Sequence, residues 1–242
     1  METQPANFAD VPVLLRGEAG PAREWVDRLS RPRLGIAVCV IIVGTGLFGA
    51  AMGMWRAPMQ AVFTAIKFPL IIFLTTLGTA LLNGMLAPLL GLNLRFAQSF
   101  AAVLMSFTIF ALIVGSFSPL MLFLVWNTAP YVPGASTVPY RFMQLVQVGI
   151  IAFAGIAANV RLRQLLENLG GGKAVAKKIL FAWLAANLFL GSQLCWVLRP
   201  LIGSPSLPTQ FLRPDAFKGN LYETVFNAIT IVFSTKQARN YD

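Results

Sequence analysis

Long apolar runs without a single charge alternate with short charged gaps along this chain. The charge-free runs are Leu34–Trp55, Phe68–Leu94, Phe96–Tyr140, Phe142–Val160 and Ile179–Leu198. An α-helix rises about 1.5 Å per residue, so about 20 apolar residues cross the roughly 30 Å hydrocarbon core of a bilayer. Each run reaches or nearly reaches that length. The pattern predicts an all-α, polytopic transmembrane bundle of about five spans over 34–198. A polar leader over 1–33 precedes it, and a proline-rich tail with an interfacial helix over 199–242 follows.

Span one is predicted over 34–54 and carries Gly46, Gly49 and Gly53. Gly49-Ala-Ala-Met-Gly53 is a GxxxG, a spacing that lets helix backbones approach closely in lipid. Span two is predicted over 68–90, opened by Lys67-Phe68-Pro69 because proline suits a first helical turn. Thr76, Ala80 and Gly84 recur at every fourth position as a second packing face. The run Phe96–Tyr140 is too long for one straight span. A third helix is expected over 98–126, weakened at Gly115–Pro119 by its interior proline. The alternative is a break near 116 followed by a half-helix over 119–126. Asn127–Tyr140 reads as a loop. Span four is predicted over 142–160, with an extension that lines up Leu162, Leu165, Leu166 and Leu169 and stops at Gly170–Gly172. Span five is predicted over 178–198.

Both ends carry amphipathic segments. Trp25, Val26 and Leu29 mark a short helix at the bilayer surface. In the tail, Leu198-Arg199-Pro200 is echoed by Leu212-Arg213-Pro214. A helix is predicted from Leu221, with Asn220 and Glu223 at capping-box spacing and Leu221, Val225, Ile229 and Val232 on one face. It is too short to cross, and is expected on the membrane or docked on the bundle.

Composition agrees: 57% of residues are apolar and 12% charged, against about 25% charged in soluble domains. The net charge of +10 is read as basic residues facing anionic membrane lipids, with no nucleic-acid partner, because no basic stripe with interleaved aromatics occurs. No basic n-region with a short apolar core opens the chain, so span one is expected to remain uncleaved. Lys and Arg concentrate before span one and between spans four and five. That places the N-terminus in the cytoplasm, the tail outside, and the protein in a bacterial cytoplasmic (inner) membrane. Cys39 and Cys195 fall inside spans and are expected as small buried apolar side chains rather than a disulfide or metal pair.

The candidate chemistry is sparse. No Asp or Glu lies in the five runs, which disfavours a transporter that titrates a buried carboxylate. Lys67 and Arg56 are the nearest candidates for buried cations, with snorkelling to the interface as the plain expectation. Asn83, Gln147, Asn187 and Gln193 are candidate pore-lining amides, though amides in spans more often hydrogen-bond between helices. Arg199 and Arg213 either hold a lipid phosphate or a partner's carboxylate, or serve as interfacial anchors. Histidine is absent, and neither GxSxG, HExxH nor a phosphate loop occurs. The expectation is no enzyme, no cofactor and no metal.

Five spans, a polar leader and a kinked, Gly- and Pro-rich middle resemble the Yip1-type membrane domain over roughly residues 34–198. That resemblance implies a five-helix fold and, for eukaryotic members, roles in membrane trafficking and shaping. The family's Asp-Leu-Tyr-Gly-Pro phrase is absent here, so no site carries over. The phrase Trp196-Val-Leu-Arg-Pro-Leu-Ile-Gly-Ser-Pro, followed by Phe211-Leu-Arg-Pro-Asp-Ala-Phe, is similar to a signature of bacterial multi-pass membrane proteins, and implies no activity. The small-residue faces and amphipathic ends suggest a non-catalytic accessory or scaffold subunit that contacts lipids and other membrane subunits. The alternative is a channel or uncoupled transporter for a neutral or anionic solute.

Overall fold

The computed structural model describes residues 15–16, 19–27, 29–90, 95–129, 138–168, 172–199, 201 and 208–223. Seven helices account for most of them: α1 (Ala19–Asp27), α2 (Arg31–Met54), α3 (Pro58–Leu89), α4 (Phe96–Ser116), α5 (Ser118–Asn127), α6 (Val138–Leu166) and α7 (Gly172–Val197). No strand occurs among the described residues. Five units are long and apolar enough to cross a membrane: α2, α3, α4 with α5, α6, and α7. The protein is a polytopic helical membrane protein.

The α2–α3 hairpin organises the bundle. Ser30 caps α2, its hydroxyl accepting from the Arg33 amide at 3.4 Å, and Pro32 occupies the first turn. The connection to α3 is only Trp55–Ala57, and the Arg56 and Ala57 amides close it on the Gly53 carbonyl. A Cβ at Gly49 would lie 2.6 Å from the Thr64 carbonyl oxygen, and one at Gly53 2.5 Å from that of Gln60. Gly46 faces the same helix at ordinary contact distance, 3.5 Å from the Ala65 carbonyl. On the second face, Thr76 and Ala80 are buried, and a Cβ at Gly84 would meet the Phe96 ring of α4 at 2.7 Å.

Several boundaries differ from the sequence expectation. Helix α3 begins at Pro58, so Pro69 lies inside it and Lys67 no longer marks its start. Proline at a helix start is favourable wherever the chain needs one, and here Pro58 fills that role. Span three is interrupted at Phe117 (φ −85°, ψ −3°) and restarts with Pro119 in the first turn of α5, so it is broken rather than merely kinked. The break packs on α2: a Cβ at Gly115 would meet Gly44 Cα at 2.8 Å. Helix α7 starts at Gly172, in a left-handed conformation (φ +65°), which brings Lys173, Lys177 and Lys178 into its first two turns. Cys39 is exposed on the outside of the bundle and Cys195 is half-buried, both as free thiols.

The leader helix docks on the protein instead of lying bare on the bilayer. Trp25 and Val26 are buried, against α4 and α6. Arg33 pairs with Glu24 at 2.9 Å, and Gln98 Nε2 donates to Asp27 Oδ1 at 2.9 Å. Leu162, Leu165 and Leu166 are buried as the helical spacing requires. Leu169, the loop over 130–137, and the tail helix beyond Glu223 with Val225, Ile229 and Val232 lie outside the described residues.

Burial is uneven. In the most apolar window of span three 61% of residues are buried, whereas in that of α7 only 11% are. Helices α2 to α5 form the packed centre, and α7 is held chiefly by α3.

Gly49→Leu and Gly53→Leu are expected to lose about 1–3 kcal/mol or more through overpacking, read as a lower melting temperature in mild detergent. Gly149→Leu, where nothing lies within 4 Å, leaves it unchanged. Equal melting temperatures for all three would show that α2 and α3 are not locked at these glycines.

Candidate functional site

Helix α3 carries a line of polar side chains from one end to the other. Gln60, Thr64, Lys67, Thr75, Thr79 and Asn83 are all between 0% and 3% exposed. From 60 to 83 the helix rises about 35 Å, the full thickness of a hydrocarbon core. Lipid cannot solvate such groups, so each must face protein, water or a ligand.

The upper end is closed by the tail. Gln60 Nε2 donates to the Leu201 carbonyl at 3.1 Å, and the Thr64 hydroxyl donates to the same oxygen. The Gln60 carbonyl, one turn back, lies 2.8 Å from Thr64 Oγ1 and shares its single proton with the Leu201 oxygen. The Lys67 ammonium lies 5.3 Å from the centroid of the Phe211 ring, and Phe63 meets that ring edge-on at 5.6 Å. Lys67 is therefore buried about 14 Å along α3 from Pro58, and does not snorkel to the interface.

The lower end faces α7. Gly78 approaches Leu190 and Gly191 approaches Thr75, which fixes the antiparallel register of the two helices. One and two turns deeper, that register sets Asn187 level with Thr79, and Trp183 level with Asn83. Both amide atoms of Asn83, the hydroxyls of Thr75 and Thr79, Asn187 Oδ1 and Trp183 Nε1 are buried without a hydrogen-bond partner among the described residues. A buried polar group left unpaired costs about 1–3 kcal/mol. Gln147, on α6, is also buried with its Nε2 unpartnered. Gln193 is not part of the line, because its Oε1 accepts from the Leu221 amide at 3.5 Å.

The tail is bound on the side of the bundle opposite the leader. Asp215 bridges the two arginine–proline phrases, 3.0 Å from Arg213 and 3.6 Å from Arg199. The Arg199 guanidinium stacks 3.6 Å from the Trp196 ring centroid and donates to the Trp196 carbonyl at 2.8 Å. Partial burial and, after it, the Arg213 charge pull the Arg199 pKa down, while Asp215 opposes them. A guanidinium stays charged at neutral pH despite such shifts. Both arginines thus pair with one carboxylate within the chain, which leaves one net positive charge on the cluster. Further on, Asn220 Oδ1 accepts from the Glu223 amide at 2.8 Å, the cap expected from the sequence. Tyr222 stacks on Phe189 at 5.2 Å, and its hydroxyl lies 2.6 Å from that of Ser192.

Sequence reading singled out Asn83 and Asn187, which the register brings to neighbouring levels. It missed Gln60, Thr64, Thr79 and Trp183. Gln60, Thr64 and Lys67 follow the i, i+4, i+7 spacing of one helix face. That signal was readable only with the helix start placed at Pro58.

Phe211→Ala removes the ring that covers Lys67 and packs on Phe63. The expected outcome is faster trypsin cleavage at Lys218 in the detergent-solubilised protein, with all five spans intact. An unchanged cleavage rate would mean that the tail is held without this ring.

Comparison with protein-family models, curated proteins and solved structures finds no match, so the resemblance to the Yip1-type domain stands on layout alone.

Proposed function

We propose that the protein is a channel or uncoupled transporter for a small neutral or anionic solute, with its path along the polar line of α3. The observation that carries this reading is the set of unpaired buried groups at Thr75, Thr79, Asn83 and Asn187. They supply donors and acceptors at successive helical turns, and Lys67 supplies one positive charge above them. With no carboxylate in the described spans, a neutral or anionic solute is favoured over a cation. The role involves no bond chemistry.

A second reading, an accessory or scaffold subunit of a larger membrane complex, draws on α7, whose low burial leaves it open to another protein. The features that first suggested it are used inside the chain. Gly49 and Gly53 pack on α3, Gly84 packs on Phe96, and α1 and the described tail dock on the bundle. Co-purification of a stoichiometric partner in native nanodiscs would favour this second reading.

The proposed placement is a bacterial inner membrane with the leader in the cytoplasm. Arg31, Arg33, Arg95, Arg161, Arg163, Lys173, Lys177 and Lys178 share the leader's face of the bundle. A periplasmic reporter fused after Glu167, between the fourth and fifth spans, should be inactive, and one fused after Lys218 active; the reverse pattern inverts the topology.

The test of transport is flux into proteoliposomes, with glycerol and urea as neutral probes and chloride and nitrate as anions. Asn83→Leu should lower flux about tenfold or more while raising the melting temperature, because it removes unpaired buried groups. Lys67→Met should abolish anion flux selectively. Flux no faster than in protein-free liposomes for all four probes sinks the proposal.

A further inference from the structure

A cavity lies between the end of α6 and the start of α7, on the leader's face. Its volume is about 530 Å³, and Arg163, Glu167, Lys173, Lys177, Leu180, Phe181 and Leu184 line it. The lining is graded. Three cations and one carboxylate sit at the mouth, and three apolar side chains follow along α7. Arg163 meets Glu167 at 3.4 Å, a pair of an exposed cation and a half-buried carboxylate that cancels at most one positive charge. Lys173 and Lys177 are exposed.

The backbone adds to the same field. The N-terminus of a helix carries a partial positive charge, so lysines in the first turns raise the local potential rather than offset it. No acidic residue occupies the first turn of α7. An anion at the cavity mouth neutralises both the lysines and the helix end.

The apolar side decides which anion. From Lys173 to Leu184 the helix climbs about 16 Å, the depth of one leaflet's acyl region. Phe181 is 75% exposed, so the cavity opens sideways onto the hydrocarbon core and not only toward water. A soluble anion has no use for that wall, whereas an acyl chain does.

We propose that this cavity is a binding site for an anionic phospholipid. The phosphate is held by Arg163, Lys173 and Lys177, and an acyl chain runs along Leu180, Phe181 and Leu184. The site is separate from the polar line of α3 and does not depend on the transport reading. Basic pockets between spans are a known means of selecting anionic headgroups.

The test is native mass spectrometry of the full chain from mild detergent, loaded with equal phosphatidylglycerol and phosphatidylcholine of matched chains. Preferential retention of phosphatidylglycerol by about tenfold is expected. The double variant Lys173→Gln, Lys177→Gln should remove the preference. Glu167→Gln should increase it, which keeps the test decisive if the double variant fails to fold. Phe181→Ser should weaken retention with the charges intact. Millimolar inorganic phosphate should not displace the lipid; displacement would assign the site to a soluble anion and overturn the proposal. Equal retention of the two lipids, or a ratio unmoved by the charge variants, overturns it as well.

Discussion

The close approach of α2 to α3 is the constraint on which the rest depends. Lipid tails are as apolar as leucine, so no hydrophobic force drives helices together within the bilayer core. Association relies on van der Waals contact, which needs backbones to come near. Gly49 and Gly53 allow this against the carbonyls of Thr64 and Gln60. Those are the residues whose side chains receive the Leu201 carbonyl from the tail. The glycine contact therefore fixes the rotation of α3 about its axis. That rotation turns Gln60, Thr64 and Lys67 away from lipid and toward the tail.

The tail is the second half of the same solution. A lysine within a span is expensive unless protein surrounds it. Phe63 and Phe211 build an aromatic wall beside Lys67, and Asp215 ties Arg213 to Arg199 so that the segment bearing Phe211 is anchored next to α7. The repeated arginine–proline phrase is thus a structural clasp closed by one carboxylate. The described parts of the leader and the tail fold back on the bundle, the leader through Arg33 and Glu24 and the tail through Asp215, on opposite faces.

Stability is distributed unevenly in a way that bears on function. The span formed by α4 and α5 is the most buried, and α7 the least. The unpaired groups of α3 lie in the half that faces α7. Moving α7 exposes them at the lowest cost in lost packing, whereas moving α2 requires separating the glycine contacts. Local opening is drawn from the least buried elements of a fold, and here that element borders the polar line.

The sequence by itself determined the class of protein: charge-free runs of bilayer length leave a helical bundle as the form that satisfies the backbone. It also determined the small-residue faces, the leader helix with Trp25 and Val26, the Leu162–Leu165–Leu166 stripe and the Asn220–Glu223 cap, because each is encoded by local spacing. The start of α3 was not legible, since Lys67 reads locally as a membrane boundary and Pro69 as a helix opener. Only the tertiary structure decided otherwise: residues distant in the chain, Leu201 and Phe211, supply the covering that lets α3 continue through Lys67. Likewise, nothing local tells that Arg199 and Arg213 share Asp215, or that Asn187 lies level with Thr79. Such facts depend on helix rotation and register, which arise from contacts between segments and leave no periodicity in any one of them.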